Sequence, residues 1–279
     1  MKYRITGKGM VLFAFCLSLA TPLAAAAAIL QMRTIQSWEV YIRQTEKRIE
    51  SELPNESRFL RIDGMKPADA AKVQSVLKAG NVYSERMKTL NAGGREIELN
   101  DGLIHHWYGT IFIPGTKVDP LIHWIQDYDQ QYKYFKEVEK SKLLSHDGDT
   151  FRIYLRLSRT KVVTVHYNTE HTVIYRGNGP GRASSRSFTT KIAEIDNAGT
   201  PSEKEMPVGS DSGFMWRLNS YWRFREQDGG VLVECESVSL SRQIPFGLGW
   251  LVGSYVESIP RESLESALTS IRDGVRASR

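Results

Sequence analysis

Asp228-Gly229, set between two alternating runs that follow Trp216, is the feature that most limits what this chain can become. Both positions of such a turn need positive φ, and Asp-Gly supplies it, so the pair marks a tight antiparallel hairpin. With Gln227 and Gly230 flanking the turn, Phe224 faces Val233, Trp222 faces Cys235 and Ser220 faces Ser237. On the opposite face Arg223 meets Glu234 and Tyr221 meets Glu236. One face is aromatic and small, the other charged and complementary, the pattern of a sheet with one side packed and one side in water. The packed side needs a cover. The passage Pro245–Tyr255 and a helix beginning at Pro260 supply it, the helix carrying Ile259, Leu264, Leu268, Ile271 and Val275 at helical spacing. Glu262 and Glu265 near its start and Arg272 and Arg276 near its end suit the helix dipole.

Upstream, the residues alternate between short helices and a long antiparallel meander. Gln31–Glu52 predicts a helix, with Ile35, Trp38, Ile42, Thr45 and Ile49 on one stripe and Pro54 as its stop. Phe59–Ile62 predicts a short strand, and Pro67–Ala79 a helix stopped by Gly80. Val82–Leu90 and Arg95–Leu99 form a hairpin around Asn91–Gly94. His106–Ile113 predicts a strand and Val118–Phe135 a helix striped by Leu121, Trp124, Ile125, Tyr128 and Tyr132. Val138–Leu144 and Phe151–Leu157 flank a second Asp-Gly turn at Asp147-Gly148; Val162–Tyr175 and Ala183–Ile195 continue the meander, and Asn197–Ser212 reads as an exposed loop. Six to seven antiparallel strands with helices segregated around them make the class α+β.

Charge says little about a nucleic-acid partner. Of the net +5, Lys2, Arg4 and Lys8 supply three, so the chain without them carries about +2, and its other cations are scattered among acids. No nucleic acid is expected. Residues 1–28 read as a secretory signal: a basic start, an apolar run from Met10 to Ala20, and small residues through Ala28. The rival is an uncleaved anchor, because Met10–Leu30 is nearly long enough to span a bilayer. A periplasmic or secreted location is therefore expected, with membrane anchoring as the alternative. Cleavage leaves Cys235 as the one cysteine, which excludes an intramolecular disulfide and a cysteine metal cluster. Its position opposite Trp222 reads as a buried, inert thiol.

Motif chemistry is sparse. His105 and His106 are adjacent and point to opposite strand faces, and no His pair has chelating spacing. No Ser lies in a nucleophile elbow, and Gly177–Gly181 lacks the ending of a phosphate loop. Glu234 and Glu236 share a face, but Arg223 and Tyr221 opposite them explain both as charge pairs on a solvated surface. No catalytic residue, metal or cofactor is expected. Arg182 and Arg186 share a strand face with Phe188 and Ile192; the structural reading is a salt bridge at a strand edge, and the functional one makes Arg186 the group to meet an acidic ligand. Tyr167, Trp216, Trp222, Trp250 and Tyr255 are the candidates to line an apolar pocket, or simply to fill the core.

The strand, Asp-Gly-Gly turn, strand, then "SLSR-IP-GL-WLVG" and a terminal helix resemble the end of a START-like domain of the SRPBCC superfamily. The resemblance covers about His105 to Arg276. It implies a helix-grip fold, a curved antiparallel sheet around a long C-terminal helix with a ligand cavity between them. Three segments follow: a signal (1–28), an N-terminal helical and hairpin extension (29–104) and the START-like domain (105–279). The leading function is an exported, monomeric protein that binds or transfers a lipid or another hydrophobic small molecule, with contact to a membrane surface among its expected partners and the Pro245–Tyr255 passage gating access. The alternatives are a cyclase or aromatase of the same fold and an interaction protein whose cavity is filled by side chains.

Overall fold

Asp228 and Gly229 both take positive φ, 51° and 72°, and the strands they join pair in the expected register, Gln227 with Gly230 and Trp222 with Cys235. The structure is a computed structural model that describes residues 28–161, 163–243 and 249–278, the side chains of Ala28 and 249–257 excepted. The signal reading, Ala28 apart, therefore lies outside the described residues, as do residues 245–248 of the expected gate and the side chains of Trp250 and Tyr255.

In chain order the elements are β1 (Ala28–Ile29), α1 (Met32–Glu52), α2 (Pro67–Lys78), β2 (Tyr83–Arg86), β3 (Gly102–Pro114), α3 (Val118–Ile125), β4 (Val138–Asp147), β5 (Thr150–Thr160), β6 (Thr164–Gly177), β7 (Arg182–Asp196), β8 (Lys204–Glu205), β9 (Ser210–Asp211), β10 (Arg217–Gln227), β11 (Gly230–Arg242) and α4 (Gly249–Ala277). Eight strands form one antiparallel sheet in the order β2-β3-β11-β10-β7-β6-β5-β4, with β8 added beside β7; β1 and β9 make a separate two-stranded ribbon. The class is α+β, as expected, with more strands than the sequence shows because β8, β1 and β9 are too short to carry a periodic signal, while the expected strand Val82–Leu90 is regular only over β2.

Helix α4 packs on β3 and β11, where Leu264, Leu268, Ile271 and Val275 meet Ile111, Ile113, Val231, Val233 and Phe224. Burying each of these side chains is worth about 1.5–3 kcal/mol. Gly109 lets the helix come this close, since a Cβ there would lie 2.7 Å from Leu268 Cδ1. Yet Glu262 of the same helix also bonds Arg159 Nη2 at 2.6 Å and Lys161 Nζ at 2.9 Å, at the far end of β5. Strand β5 lies four strands beyond β11 in the sheet order. A flat sheet would carry it far beyond one side chain's reach, at about 4.8 Å per strand. The sheet therefore curls around α4, which is the helix grip.

The other face of the sheet is not open. Trp38, Tyr41, Ile42 and Ile49 of α1, with Phe59, Leu60, Val73 and Leu77, bury Tyr221, Leu232, Val238 and Leu240. The charged face of the hairpin is thus a second interior and not a solvated surface. The N-terminal extension explains this: α1 lays its apolar stripe across strands that alternate Leu and Val with Glu and Arg, and it carries the countercharges Arg48 and Glu52 with it.

Other local expectations are corrected. Phe59–Ile62 is not a strand but the junction of two 3-10 turns, Glu56–Arg58 and Arg61–Gly64, closed by Asp63 accepting the Leu60 N–H. Helix α3 stops at Ile125, short of Phe135, because Asp129 turns away to accept the Leu143 N–H and Tyr128 to meet Tyr175. The second hairpin turns at Gly148-Asp149, one residue later than read, since Asp147 pairs with Thr150. Asn197–Ser212 contains β8 and β9, and helix α4 begins at Gly249, with Pro260 inside it. A proline removes one backbone donor and crowds the preceding turn, so the sequence reads it as a start where the structure carries it within the helix.

Candidate ligand trough on the helix-covered face

The face under α4 changes character within one step along the strands. One row across the sheet reads Ile111–Val233–Phe224–Ala183, and its first three members are closed from solvent by α4. The next row is Gly109–Cys235–Trp222–Ser185–Tyr175, and the one after it Trp107–Ser237–Ser220–Ser187–Val173–Phe151. Trp107, Ser237, Ser220, Ser187 and Trp222 are all partly exposed in mid-sheet, on the concave side. A packed core fills such positions with large apolar side chains. Three serines in one row between aromatic and aliphatic ends make instead a candidate trough, small and polar along its floor and apolar along its walls, the composition of a small-molecule site.

One wall is Trp222, stacked on Phe224 at 6.4 Å with its indole N–H donated to Ser220 Oγ at 3.1 Å. Trp107 forms the other wall, covered by the Arg261 guanidinium 5.9 Å from its ring centre. Phe151, Ile153, Val173, Tyr175 and Tyr128 close the far end as a separate cluster, tied by the Tyr128–Tyr175 hydroxyl pair at 2.7 Å. The clasp of Glu262 with Arg159 and Lys161 spans the side, and Glu137 also pairs with Arg159. The Lys161 ammonium beside it, despite some burial, holds the Glu262 carboxyl below its ordinary range, so the clasp is ionised at neutral pH.

His171 lies on the same face, buried, sharing a 2.9 Å hydrogen bond with Thr169 Oγ1. Burial pulls its pKa down to about 4 from 6.5, so it is a neutral imidazole at neutral pH. A lowered folded value means that the unfolded chain binds the proton more tightly; the stabilisation is complete above the unfolded value of 6.5 and is lost as pH falls toward about 4. Wild type is therefore expected to lose roughly 3 kcal/mol relative to His171→Gln between about pH 7 and about pH 4. Paired denaturant melts check this; parallel pH profiles would show that His171 is not buried neutral.

The sequence candidates separate. Trp222 lines the trough, and Tyr167 is buried on the same face, short of the clasp, opposite Leu157 and Glu194. Trp216 belongs to the core under α1, its indole N–H bonded to Asp211 Oδ1 at 3.0 Å. Arg186 also lies on the α1 side, paired with Glu46 at 2.9 Å and lying over Phe188 at 5.1 Å. It does not point under α4. Ile192, expected beside it, sits on the opposite face because Thr190 is an extra residue in β7 where the register with β6 shifts. Strand β7 is interior, so the expected edge-strand salt bridge is instead a bridge from sheet to helix. The row of serines was missed; period-two Ser at 185, 187, 220, 237 and 239 was its signal.

The α1 side holds a buried polar cluster. Glu236 accepts from Arg48 Nη2 at 2.5 Å and from His106 Nε2 at 3.2 Å, while Arg223 Nη2 donates to Glu52 at 2.7 Å and lies 3.5 Å from Glu236. Because the carboxylate can only accept, His106 is protonated on Nε2 and takes the Tyr41 O–H on Nδ1, at 2.9 Å. Burial raises the Glu236 carboxyl, but His106 and Arg48 outweigh it and hold it far below its ordinary range. Glu234 is bonded by Tyr108 O–H and the Arg61 and Ile62 N–H groups, and burial still leaves it raised. His106, Arg223, Glu234 and Glu236 are buried, Arg48 reaches them from the half-buried flank of α1, and together they serve as the joint between α1 and the sheet. Two recesses on this side, about 50 Å³ beside Glu46 and Arg186 and about 290 Å³ beneath α2, are gaps along that joint.

No protein-family model matches the chain, and no curated protein matches it. Solved structures similar to it include a STAR-related lipid transfer protein from Xanthomonas axonopodis, at 16% identity and TM-score 0.43, covering 68% of this chain and 98% of that one. A START superfamily protein from Mycobacterium smegmatis aligns at 8% identity and TM-score 0.42, covering 62% and 99%. The aromatase/cyclase Zhui from Streptomyces sp. R1128 aligns at 11% identity and TM-score 0.41, covering 63% and 97%.

Proposed function

We propose that this protein binds a lipid or another hydrophobic small molecule in the trough between the curved sheet and α4. The observation that carries the proposal is the partly exposed row Trp107–Ser237–Ser220–Ser187 on the concave face of a sheet that, two rows further along, packs Ile111, Val233 and Phe224 fully against α4. The apolar body of the ligand lies against Trp107, Trp222 and the Phe151 cluster, and its few polar atoms meet the serine hydroxyls. Fold alone does not choose between a carrier and an enzyme; the wall and floor favour retention of a ligand.

Native mass spectrometry of protein purified from its own source tests this directly. A bound adduct released by organic solvent is expected. Ser220→Phe places a ring on the trough floor and is expected to abolish the adduct while leaving the thermal midpoint unchanged or higher. Trp222→Ala is expected to reduce the adduct strongly at a cost below the about 3–5 kcal/mol of a fully packed tryptophan, because Trp222 is partly exposed. If neither wild type nor Ser220→Phe carries a ligand and both melt alike, the face is an interaction surface and not a binding site.

The same proposal includes export. The basic, apolar and small-residue succession through Ala28 supports it. Sequencing the mature N-terminus is expected to find a start near Ala28; a membrane-bound product starting at Met1 would replace cleavage by anchoring.

A further inference from the structure

Large apolar residues stranded on the surface are informative when they cluster. Among the described residues nine are strongly exposed, and four of them, Ile29 (66%), Met32 (67%), Val208 (54%) and Phe214 (44%), flank the β1–β9 ribbon. The ribbon pairs Ile29 with Ser210, and the Leu30 N–H donates to the Gly209 carbonyl at 2.8 Å, which sets Val208 beside the start of α1. Phe214 follows three residues after β9, under the Arg242 guanidinium at 5.7 Å, and Arg33 stands one residue beyond Met32, its side chain 64% exposed and paired with Asp101. Apolar side chains edged by cations are what the boundary between lipid headgroups and acyl chains accepts.

Where the chain enters this patch decides what covers it. The apolar run beginning at Met10 leads straight into Ala28, the first residue of the ribbon. Any bilayer that takes up that run, during export or permanently, is brought to this end of the molecule and to no other.

We propose that the β1–β9 ribbon, with Ile29, Met32, Val208 and Phe214, is a docking surface for a lipid bilayer. It stands apart from the trough: neither depends on the other, and each has its own test. The ribbon holds whether the leader is retained, giving a tethered protein, or removed, giving a peripheral one.

The test uses the full chain carrying Cys16→Ser, so that the buried Cys235 is the one native thiol left. A polarity-sensitive dye is attached at Val208→Cys, or at Leu144→Cys as control, since Leu144 is also exposed but lies on the opposite edge strand. Mixed phosphatidylcholine and phosphatidylglycerol vesicles are then added. A blue shift and loss of quenching by aqueous iodide are expected at Val208 and not at Leu144. Adding Ile29→Ser and Met32→Ser is expected to return the Val208 signal to its vesicle-free value while the chain still floats with the vesicles and melts like its parent. Equal shifts at both probes, or none at Val208, overturn the proposal. A shift at Val208 that appears without vesicles and grows with protein concentration also overturns it, because the patch then belongs to a second copy of the chain.

Discussion

Leu268→Arg is expected to yield no folded protein. Leu268 is wholly buried, set against the Gly109 backbone between Leu264 and Ile271, and it stands at the centre of the contact by which the sheet holds α4. The substitution removes an apolar side chain worth about 2–5 kcal/mol on truncation alone. It also places a guanidinium among Ile111, Val233, Phe224 and Cys235, where the described partners are apolar. An uncompensated buried charge costs several kcal/mol more. The sum falls within the about 5–15 kcal/mol that holds a domain together, enough to unfold it. Expression is expected to give aggregate, and any soluble fraction to lack near-ultraviolet circular dichroism. A soluble variant with the wild-type near-ultraviolet spectrum would mean that α4 is not gripped. Arg272→Ala, four residues on, is the comparison. The sequence makes it a bare surface residue, but Arg272 donates to the Gly80 carbonyl at 2.6 Å and so ties α4 to the end of α2. A loss of about 1 kcal/mol is expected there.

How much of this was legible depends on where the signal lives. The β10–β11 register could be read residue by residue, because Asp228-Gly229 allows one turn geometry and period-two alternation then fixes every pair. The α4 stripe was legible for the same reason, with a different period. What covers the opposite face was not. Glu234, Glu236 and Arg223 look like a solvated row from the strands alone, and only the arrival of Arg48 and Glu52 on a helix some 170 residues earlier makes their burial affordable. Long-range charge complementarity leaves no local pattern. The trough was half legible: Trp222 and the small residues facing it stand out in the hairpin, but the serine row emerges only when β11, β10 and β7 are laid side by side. Arg186 makes the structural salt bridge its sequence allows, but to Glu46 of α1 and from the face turned away from α4, and Ile192 lies opposite it because one bulge reverses every face beyond it.

That buried joint gives the second large effect. Glu236→Leu is expected to destabilise the protein by about 3–5 kcal/mol, the range for removing one partner of a buried ion pair. Glu236 is 3% exposed, as is Arg223 beside it. Without the carboxylate, Arg223 and Arg48 share Glu52 alone, and the His106 Nε2–H loses its acceptor. Removing both sides of the conflict should recover part of the loss, so Glu236→Leu with Arg223→Met is expected to cost less than the two single changes added together. The acid limb follows from the same geometry. Glu236 and His106 both have folded values below their unfolded ones, so each stabilises fully above its unfolded value, near 6.5 for His106 and 4.5 for Glu236, and loses that contribution as pH falls. Glu236→Leu is therefore expected to flatten stability against pH below about pH 5 relative to wild type. Release of α1 supplies the structural readout: trypsin at Arg43 and Arg48, on a helix that otherwise lies against the sheet, is expected to cut the variant under native conditions and spare the wild type. If the hairpin face were solvated, as its strands read in isolation, Glu236→Leu would change stability by less than about 0.5 kcal/mol and leave α1 equally resistant. That outcome would remove the N-terminal extension from the fold's interior and make the segment from His105 onward a unit on its own.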